Sequence, residues 1–239
     1  MVKCIWSIGL ALLLAACGSS STEEATAPAT QIAEAEGEFV APEIPIMGPE
    51  RHILAFGDSL FAGYGVGKEN SYPAKLQNAL RARGINVQIT NAGVSGDTSA
   101  AGLQRLTFTL DAQEEKPELF ILELGGNDLL RGISPDQTRA NFVAMLAELK
   151  QRDIPVLIMG MRSPPNYGPE YQAEFDGLYG ELAREYGAAI VPFWLEAIYE
   201  DQALFQADRI HPTEEGIETL VGATADQVVD ALPPADSAS

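Results

Sequence analysis

Residues 53–60, Ile-Leu-Ala-Phe-Gly-Asp-Ser-Leu, decide how this chain folds. Four consecutive apolar residues are typical of a strand that is buried on both faces, and the Gly57-Asp58 pair that follows favours a tight turn. Ser59 lies directly after this turn. In folds built on buried parallel strands, ligands bind beyond the carboxyl ends of the strands, so Ser59 is a candidate functional residue.

Four further short apolar runs follow and predict four more strands. The runs at 119–124 and 156–161 are apolar on consecutive positions, which indicates central strands. The run at 87–89 alternates, and the run at 188–193 contains a proline, so both favour the edges of a sheet.

Between these runs, apolar residues recur at the spacing of one buried helix face. Helix ends are also marked: Ser134-Pro135-Asp136-Gln137 resembles a capping box, Gly84 and Gly187 fall where helices should stop, and Thr213 is placed to cap the last helix. The alternation of strand and helix predicts a parallel sheet covered on both faces. The predicted helix-face residues are Leu76, Leu80, Leu103, Leu106, Leu110, Phe142, Leu146, Leu149, Phe175, Leu178, Leu182, Ile217, Leu220, Val221 and Val228.

His211 is the second feature with chemical meaning, because the chain has only two histidines. A nucleophilic serine needs a base, and histidine, with an unperturbed pKa of about 6.5, is suited to take its proton near neutrality. The other histidine, His52, opens a strand. Asp208 lies three positions before His211, close enough for its carboxylate to reach the imidazole.

Four segments, three of them directly after predicted strands and one before the last predicted helix, are similar to the sequence blocks of the SGNH or GDSL hydrolases, and they occur in the same order. These segments are Gly57-Asp58-Ser59-Leu60, Ser95-Gly96-Asp97-Thr98, Gly125-Gly126-Asn127-Asp128 and Ile210-His211-Pro212. The resemblance covers residues 52–232 and is greatest to the bacterial branch of multifunctional thioesterases, arylesterases and lysophospholipases. We therefore predict a three-layer α/β/α, flavodoxin-like fold with a five-stranded parallel sheet in the order 2-1-3-4-5.

The resemblance implies a role for each block. Ser59 would be the nucleophile, His211 the general base and then acid, and Asp208 the group that orients the imidazole. The oxyanion hole would consist of the backbone N–H groups of Ser59 and Gly96 and the side-chain amide of Asn127. The reaction implied is hydrolysis of carboxylic esters through an acyl-serine intermediate, with acyl thioesters and lysophospholipids as further substrates.

Each of these residues also has a structural reading. Ser59 alone could cap a helix, His211 could be a surface imidazole, Asn127 a turn former and Gly96 a loop glycine. The neighbouring acids Asp58, Asp97 and Asp128 are predicted to hold turns and loops rather than to join the triad. The alternative functions are a non-catalytic envelope lipoprotein that binds acyl or glycan ligands and an envelope scaffold.

The acyl group is expected to contact two apolar segments, again by resemblance. These are Leu129-Leu130-Arg131-Gly132 and Pro164-Pro165-Asn166-Tyr167, and their composition favours a fatty chain of short or medium length. The alternative is that Leu129 and Leu130 pack into the next helix.

Residues 1–16 predict an export signal, with Lys3 before a short apolar run. The run ends in Leu14-Ala15-Ala16-Cys17, which resembles a bacterial lipobox, so Cys17 is the predicted lipid attachment site. An ordinary secretory signal with an incidental cysteine is the alternative. Loss of Cys4 with the signal leaves Cys17 as the one cysteine of the mature chain, which excludes an intramolecular disulfide and a zinc site built on cysteines.

Residues 17–50 predict a disordered tether, and residues 51–239 the hydrolase domain. From 18 to 50 the chain has seven acidic residues, no basic residue and no apolar periodicity, so it cannot bury enough surface to order itself. The formal net charge of −19 disfavours nucleic-acid partners. We expect a monomer without metal or organic cofactor, exported and anchored to the cell envelope on its periplasmic or outer-membrane side.

Overall fold

The computed structural model of the protein describes residues 45–234, and five parallel strands organise this part of the chain. The strands are β1 (Met47–Gly57), β2 (Ile85–Gly93), β3 (Leu119–Leu122), β4 (Val156–Met159) and β5 (Ala189–Val191). Their order in the sheet is β2-β1-β3-β4-β5, as predicted, and all four pairings are parallel. The two runs predicted to form edges are the edge strands.

The apolar runs form strands because both of their faces are covered. Every residue of β3 is buried, as are residues 53–57 of β1. The register places Ile53 opposite Ile89 on one side and opposite Leu119 on the other, so β1, β2 and β3 are aligned. Their carboxyl ends therefore lie beside one another at the same edge of the sheet.

The strands begin and end at residues that differ from the predicted ones. β1 begins at Met47, inside the segment 17–50 that was assigned to the tether, because the Met47 N–H donates to the Gly84 carbonyl (3.2 Å). Residues 47–50 are exposed, so apolar burial gave no signal for this extension. β2 also extends beyond the predicted 87–89, and the residues it adds are likewise not buried. In contrast, β3, β4 and β5 each end two residues before the corresponding apolar run does.

Seven α-helices surround the sheet in the described residues. The predicted helix-face residues are buried in them except Leu103, which is half-buried. Two of the helices, with four and five residues, are too short to show a periodicity and were not predicted. The helices are α1 (Ser59–Ala62), α2 (Tyr72–Ala82), α3 (Ser99–Asp111), α4 (Gly126–Leu130), α5 (Pro135–Gln151), α6 (Pro169–Tyr186) and α7 (Glu214–Ala231), with single 3₁₀ turns at Lys68–Asn70, Pro165–Tyr167 and Gln202–Leu204.

The predicted helix ends are confirmed. Ser134 Oγ accepts the Gln137 N–H (3.4 Å) at the start of α5, and Thr213 Oγ1 accepts the Gly216 N–H (3.1 Å) at the start of α7. Gly187 ends α6 with a φ of 69°, a left-handed conformation that glycine adopts without steric cost.

The helices form two layers, one on each face of the sheet. α2 packs on α7, and the Tyr72 hydroxyl is 2.6 Å from Thr224 Oγ1 between them. α3 packs on α5, and α5 on α6, where the rings of Phe142 and Tyr179 meet edge to face. The three-layer α/β/α arrangement is as predicted.

None of the helices in residues 45–234 has the length and apolar character needed to cross a bilayer. The predicted signal at 1–16, Cys17 and the tether up to residue 44 lie outside the described residues.

Truncating Phe142 should destabilise the domain strongly. Its side chain is completely buried between α5 and α6, so Phe142→Ala removes apolar contacts and leaves a cavity, at a cost of about 3–5 kcal/mol in the free energy of unfolding. The matched control is Phe108→Ala on α3, whose side chain is 78% exposed and should change stability by less than about 0.5 kcal/mol. Urea unfolding measures both, and equal losses would contradict the packing described here.

Candidate active site

Ser59 is held at the carboxyl end of β1 by the turn that precedes it. Asp58 caps helix α1, and its Oδ1 accepts the Leu60 N–H (3.0 Å). Ser59 is the first residue of this short helix and lines the cleft at the end of the sheet. The predicted structural role of Asp58 is confirmed.

His211 and Asp208 reach Ser59 from the other end of the chain. His211 Nε2 lies 2.9 Å from Ser59 Oγ, and His211 Nδ1 lies 2.7 Å from Asp208 Oδ2. The second carboxylate oxygen, Oδ1, accepts the backbone N–H groups of Ile210 (2.9 Å) and His211 (3.0 Å). The hydroxyl, imidazole and carboxylate therefore form one continuous hydrogen-bonded series.

The Asp208 carboxylate is the ionised member of this series. Partial burial acts to raise its pKa, but the hydrogen bonds from the His211 ring and from the N–H groups of His211 and Ile210 together lower the pKa to about 2. Asp208 therefore carries a negative charge throughout the neutral range. A carboxylate in this position keeps a proton on Nδ1 and leaves Nε2 free to accept one.

The three predicted oxyanion donors line the same cleft as His211. Asn127 belongs to α4, and its side-chain amide is fixed because Nδ2 donates to Asp58 Oδ2 (2.8 Å). Gly96 has a φ of +87°, a conformation that other residues rarely adopt. A Cβ there would meet no protein atom closer than 3.6 Å, so within the described residues it is the backbone conformation that favours glycine.

The other two acids next to the motifs fix loops, as predicted. Asp97 Oδ2 accepts from Arg105 Nε (2.5 Å), which holds the Gly96 loop against α3. Asp128 is completely buried and accepts the backbone N–H of Ser99 (2.7 Å), which joins α4 to the start of α3.

Glu123 was not identified from the sequence, although it contacts the turn that carries Ser59. Its side chain is completely buried, and Oε2 accepts the Asp58 N–H (3.2 Å). Gly57 leaves the space for this contact, since a Cβ there would be 2.6 Å from Oε2. Oε1 has no hydrogen-bond partner among the described residues. The signal available was the one acid, Glu123, within the apolar run 119–124.

Burial raises the pKa of Glu123 well above its ordinary value, and repulsion from the nearby Asp58 carboxylate raises it further. Burial also raises the pKa of Asp58, against the hydrogen bonds from Leu60 and Asn127. The two carboxyl groups thus share a site in which two negative charges are unfavourable. At Asp58, hydrogen bonds from the Leu60 N–H and the Asn127 amide oppose the rise in pKa, whereas at Glu123 the Asp58 N–H is the one hydrogen bond that does so.

The cleft beside the series has a volume of about 610 Å³ and mostly apolar walls. Leu129 and Leu130 line it as predicted; Leu129 is also buried in the core, so for this residue both readings hold. Pro164–Tyr167 does not line the cleft. The prediction that this segment contacts the acyl group is therefore wrong. Instead, the Tyr167 hydroxyl donates to the Leu129 carbonyl (2.7 Å) and so holds the loop that lines the cleft.

Sequence reasoning missed the opposite wall of the cleft. It is formed mainly by side chains from segments without helical or strand periodicity, after α1 and between β5 and α7, so no pattern pointed to them. These residues are Tyr64, Leu195, Tyr199 and Phe205. Met161, at the end of the apolar run after β4, and Ile210, beside His211, also line the cleft, although the sequence gave neither of them this role.

His52 lies away from the cleft, in β1, with Nε2 3.0 Å from Glu115 and 3.4 Å from Glu50. Within residues 45–234, no group of three or more histidine, cysteine, aspartate and glutamate side chains is arranged to hold a metal ion.

The sequence signature of the GDSL-like lipase/acylhydrolase family matches residues 55–218, the span from β1 into α7 that carries every group of the hydrogen-bonded series. The chain belongs to this family. It is a GDSL-type hydrolase.

Similar proteins and solved structures agree with this family assignment. "Esterase TesA" of Pseudomonas aeruginosa is 43% identical over 67% of this chain and 79% of its own length. "Thioesterase 1/protease 1/lysophospholipase L1" of Escherichia coli K12 is 37% identical over 68% of this chain and 76% of its own. Among solved structures, the esterase AlinE4, described as an SGNH-hydrolase family esterase, is 61% identical, with a TM-score of 0.66 over 78% of this chain and 99% of that one.

Replacing Glu123 should change how stability depends on pH. The pKa of Glu123 is raised in the folded protein above its value of about 4.5 in the unfolded chain. Its contribution to the free energy of unfolding is therefore complete below pH 4.5 and is lost as pH rises through the pKa of the folded state. Glu123→Gln removes this loss, so the variant should gain stability relative to wild type as pH rises from 5 to 9. Urea unfolding across this range measures the difference.

The control for this measurement is Glu174→Gln, which changes an exposed carboxyl on α6. Its stability curve should run parallel to that of the wild type. A Glu123→Gln curve that is also parallel would show that Glu123 has an ordinary pKa in the folded protein.

Proposed function

We propose that this hydrolase is a serine esterase in which Ser59 is the nucleophile, His211 the general base and acid, and Asp208 the orienting carboxylate. The observation that supports this assignment is the hydrogen-bonded series, with 2.9 Å from Ser59 Oγ to His211 Nε2 and 2.7 Å from His211 Nδ1 to Asp208 Oδ2. Both distances suit proton transfer and orientation without rearrangement.

The reaction proceeds in two displacements. Ser59 Oγ bonds to the ester carbonyl carbon while its proton passes to Nε2, and the tetrahedral intermediate then expels the alcohol, which takes that proton. Water attacks the acyl-serine in the same way, and the carboxylic acid leaves as Ser59 regains its proton. Asp208, ionised throughout, stabilises the imidazolium in each displacement.

The negative oxygen of each tetrahedral intermediate is stabilised by the N–H groups of Ser59 and Gly96 and by Asn127 Nδ2. This assignment is supported by the position of all three residues in one cleft and by the hydrogen bond that fixes the Asn127 amide to Asp58. One such donor is worth about 3–4 kcal/mol of transition-state stabilisation.

The substrate class follows from the cleft and the relatives. Apolar walls that include Leu129, Leu130 and Phe205 favour a carboxylic ester with an aryl group or a short to medium acyl chain. The names of the relatives include esterase, arylesterase, thioesterase and lysophospholipase, so acyl thioesters and lysophospholipids are the further candidates. A non-catalytic acyl- or glycan-binding protein has no support in these comparisons.

For location, we propose an exported monomer held to the cell envelope by lipid on Cys17, on the periplasmic or outer-membrane side. The support is the sequence at 1–17, an apolar run that ends in Leu-Ala-Ala-Cys after a basic start. The acidic, proline-containing stretch that follows suits a spacer between a bilayer and the domain.

Ser59→Ala should abolish covalent labelling by a fluorophosphonate probe, which reacts only with an activated serine. It should also lower hydrolysis of p-nitrophenyl esters by at least about 10³-fold, the usual loss when a triad member is removed. Rates on the acetate, butyrate, octanoate and palmitate esters then rank chain length, with the highest expected at butyrate or octanoate.

The matched control is Ser237→Ala, which lies outside the described residues and should be labelled at the wild-type rate. A wild-type protein that takes up no probe would contradict the proposed function. Labelling that survives in Ser59→Ala would place the nucleophile elsewhere.

Growth with labelled palmitate tests the anchor. The wild-type chain should incorporate label and Cys17→Ser should not, because lipid is attached through the cysteine sulfur. Cys4→Ser is the matched control and should retain the label. Label that persists in Cys17→Ser would show that the attachment is not at this cysteine.

A further inference from the structure

The loop that carries the histidine is closed on itself. Phe205 and Pro212 pair across its base as an isolated antiparallel bridge, and the Gln206 N–H donates to the His211 carbonyl (2.8 Å). Asp208 lies within the loop and binds the N–H of His211 from the other side. Residues 205–212 therefore move together, and the position of His211 depends on where this loop is attached.

Two hydrogen bonds join this loop to the nucleophile segment 59–67 among the described residues. One is the bond between His211 Nε2 and Ser59 Oγ, which is the bond that must change during the reaction. The other runs from Gln206 Nε2 to the Tyr64 carbonyl (2.9 Å). The second bond involves no reacting atom, so it remains while protons move at the first.

The Gln206 amide uses both of its N–H groups in this connection. The same Nε2 donates to the Pro212 carbonyl (2.9 Å), which follows His211 directly. The amide also packs against Gly65, where a Cβ would be 2.2 Å from Oε1. One half-buried side chain thus spans from the nucleophile segment to the residue next to the base.

The nucleophile segment needs such a support, because its backbone is not stabilised by regular structure beyond α1. Gly63, Gly65 and Gly67 all have a positive φ, between 76° and 88°. Tyr64 lies among them, and its ring packs on the His211 imidazole with centroids 4.2 Å apart. The Tyr64 carbonyl is thus fixed at the point where the segment meets the imidazole.

We propose that Gln206 is a positioning residue, which sets the distance between the His211 imidazole and Ser59 through its paired bonds to the Tyr64 and Pro212 carbonyls. This inference rests on the proposed function. Gln206 touches neither the nucleophile nor the acyl group in this role. It acts through His211, and a shift of about 1 Å in such a group lowers the rate by about 10²-fold.

Two variants test the donor role of the amide. Gln206→Met keeps the length of the side chain but has no donor, and Gln206→Glu keeps its shape but places an acceptor against two carbonyl oxygens. The matched control is Gln227→Ala, an exposed glutamine on α7 outside the cleft. All are measured for kcat and KM on p-nitrophenyl butyrate, for the rate of fluorophosphonate labelling and for near-UV circular dichroism.

Both Gln206 variants should lose at least about tenfold in kcat and in labelling rate, by displacement of the base, with KM within twofold of wild type and an unchanged near-UV spectrum. A loss confined to KM, or labelling of Gln206→Met at the wild-type rate, would overturn the proposal. Loss of the near-UV spectrum in both variants would also overturn it, because Gln206 would then serve the fold as a whole. An unlabelled wild type would instead overturn the proposed function.

Discussion

The parallel pairing of β1 with β2 on one side and β3 on the other is the constraint on which the site depends. This register brings the ends of three strands to one level, so that Ser59, Gly96 and Asn127 lie around a single cleft although they are far apart in sequence. None of the three is positioned by its neighbours in the chain alone. Each short segment after a strand is oriented by the sheet and then held by a buried acid.

Those buried acids show how the site combines rigidity with charge. Asp58 binds both the start of α1 and the amide of Asn127, so the turn that carries Ser59 and the Asn127 side chain share one support. Asp128 does the same for the starts of α3 and α4. Glu123 completes the arrangement beneath Gly57, at the cost of a buried carboxyl with one oxygen that has no partner in residues 45–234. Burial and repulsion from Asp58 raise the pKa of this carboxyl, because a second charge beside Asp58 is unfavourable.

The sequence predicted the features that depend on burial and on motifs. Consecutive apolar residues separated the central strands from the edge strands, the family resemblance implied the order of the sheet, and the spacing of apolar residues such as Leu146 and Phe175 predicted the long helices. His211 was singled out because few histidines compete, and Ser59 and Asp208 by the strand-end motif, the spacing to His211 and the family resemblance; the structure brings the three side chains together. The features that were not predicted depend on contacts between distant segments. The extension of β1 to Met47 is made by exposed backbone, and Glu123 looks like part of a strand. Tyr64, Phe205 and Gln206 lie in irregular segments that have no helical or strand periodicity.

The separation of 152 residues between the two ends of the Ser59–His211 bond has a consequence for synthesis. Ser59 comes from the first strand-helix unit of the domain and His211 from the loop before its last helix. A polypeptide that is still emerging from the ribosome therefore contains both side chains without the geometry that joins them. Under the proposed function, hydrolytic capacity arises only after residues 205–212 have reached the end of β1, so the compartment in which the chain folds is also the compartment in which it first becomes active.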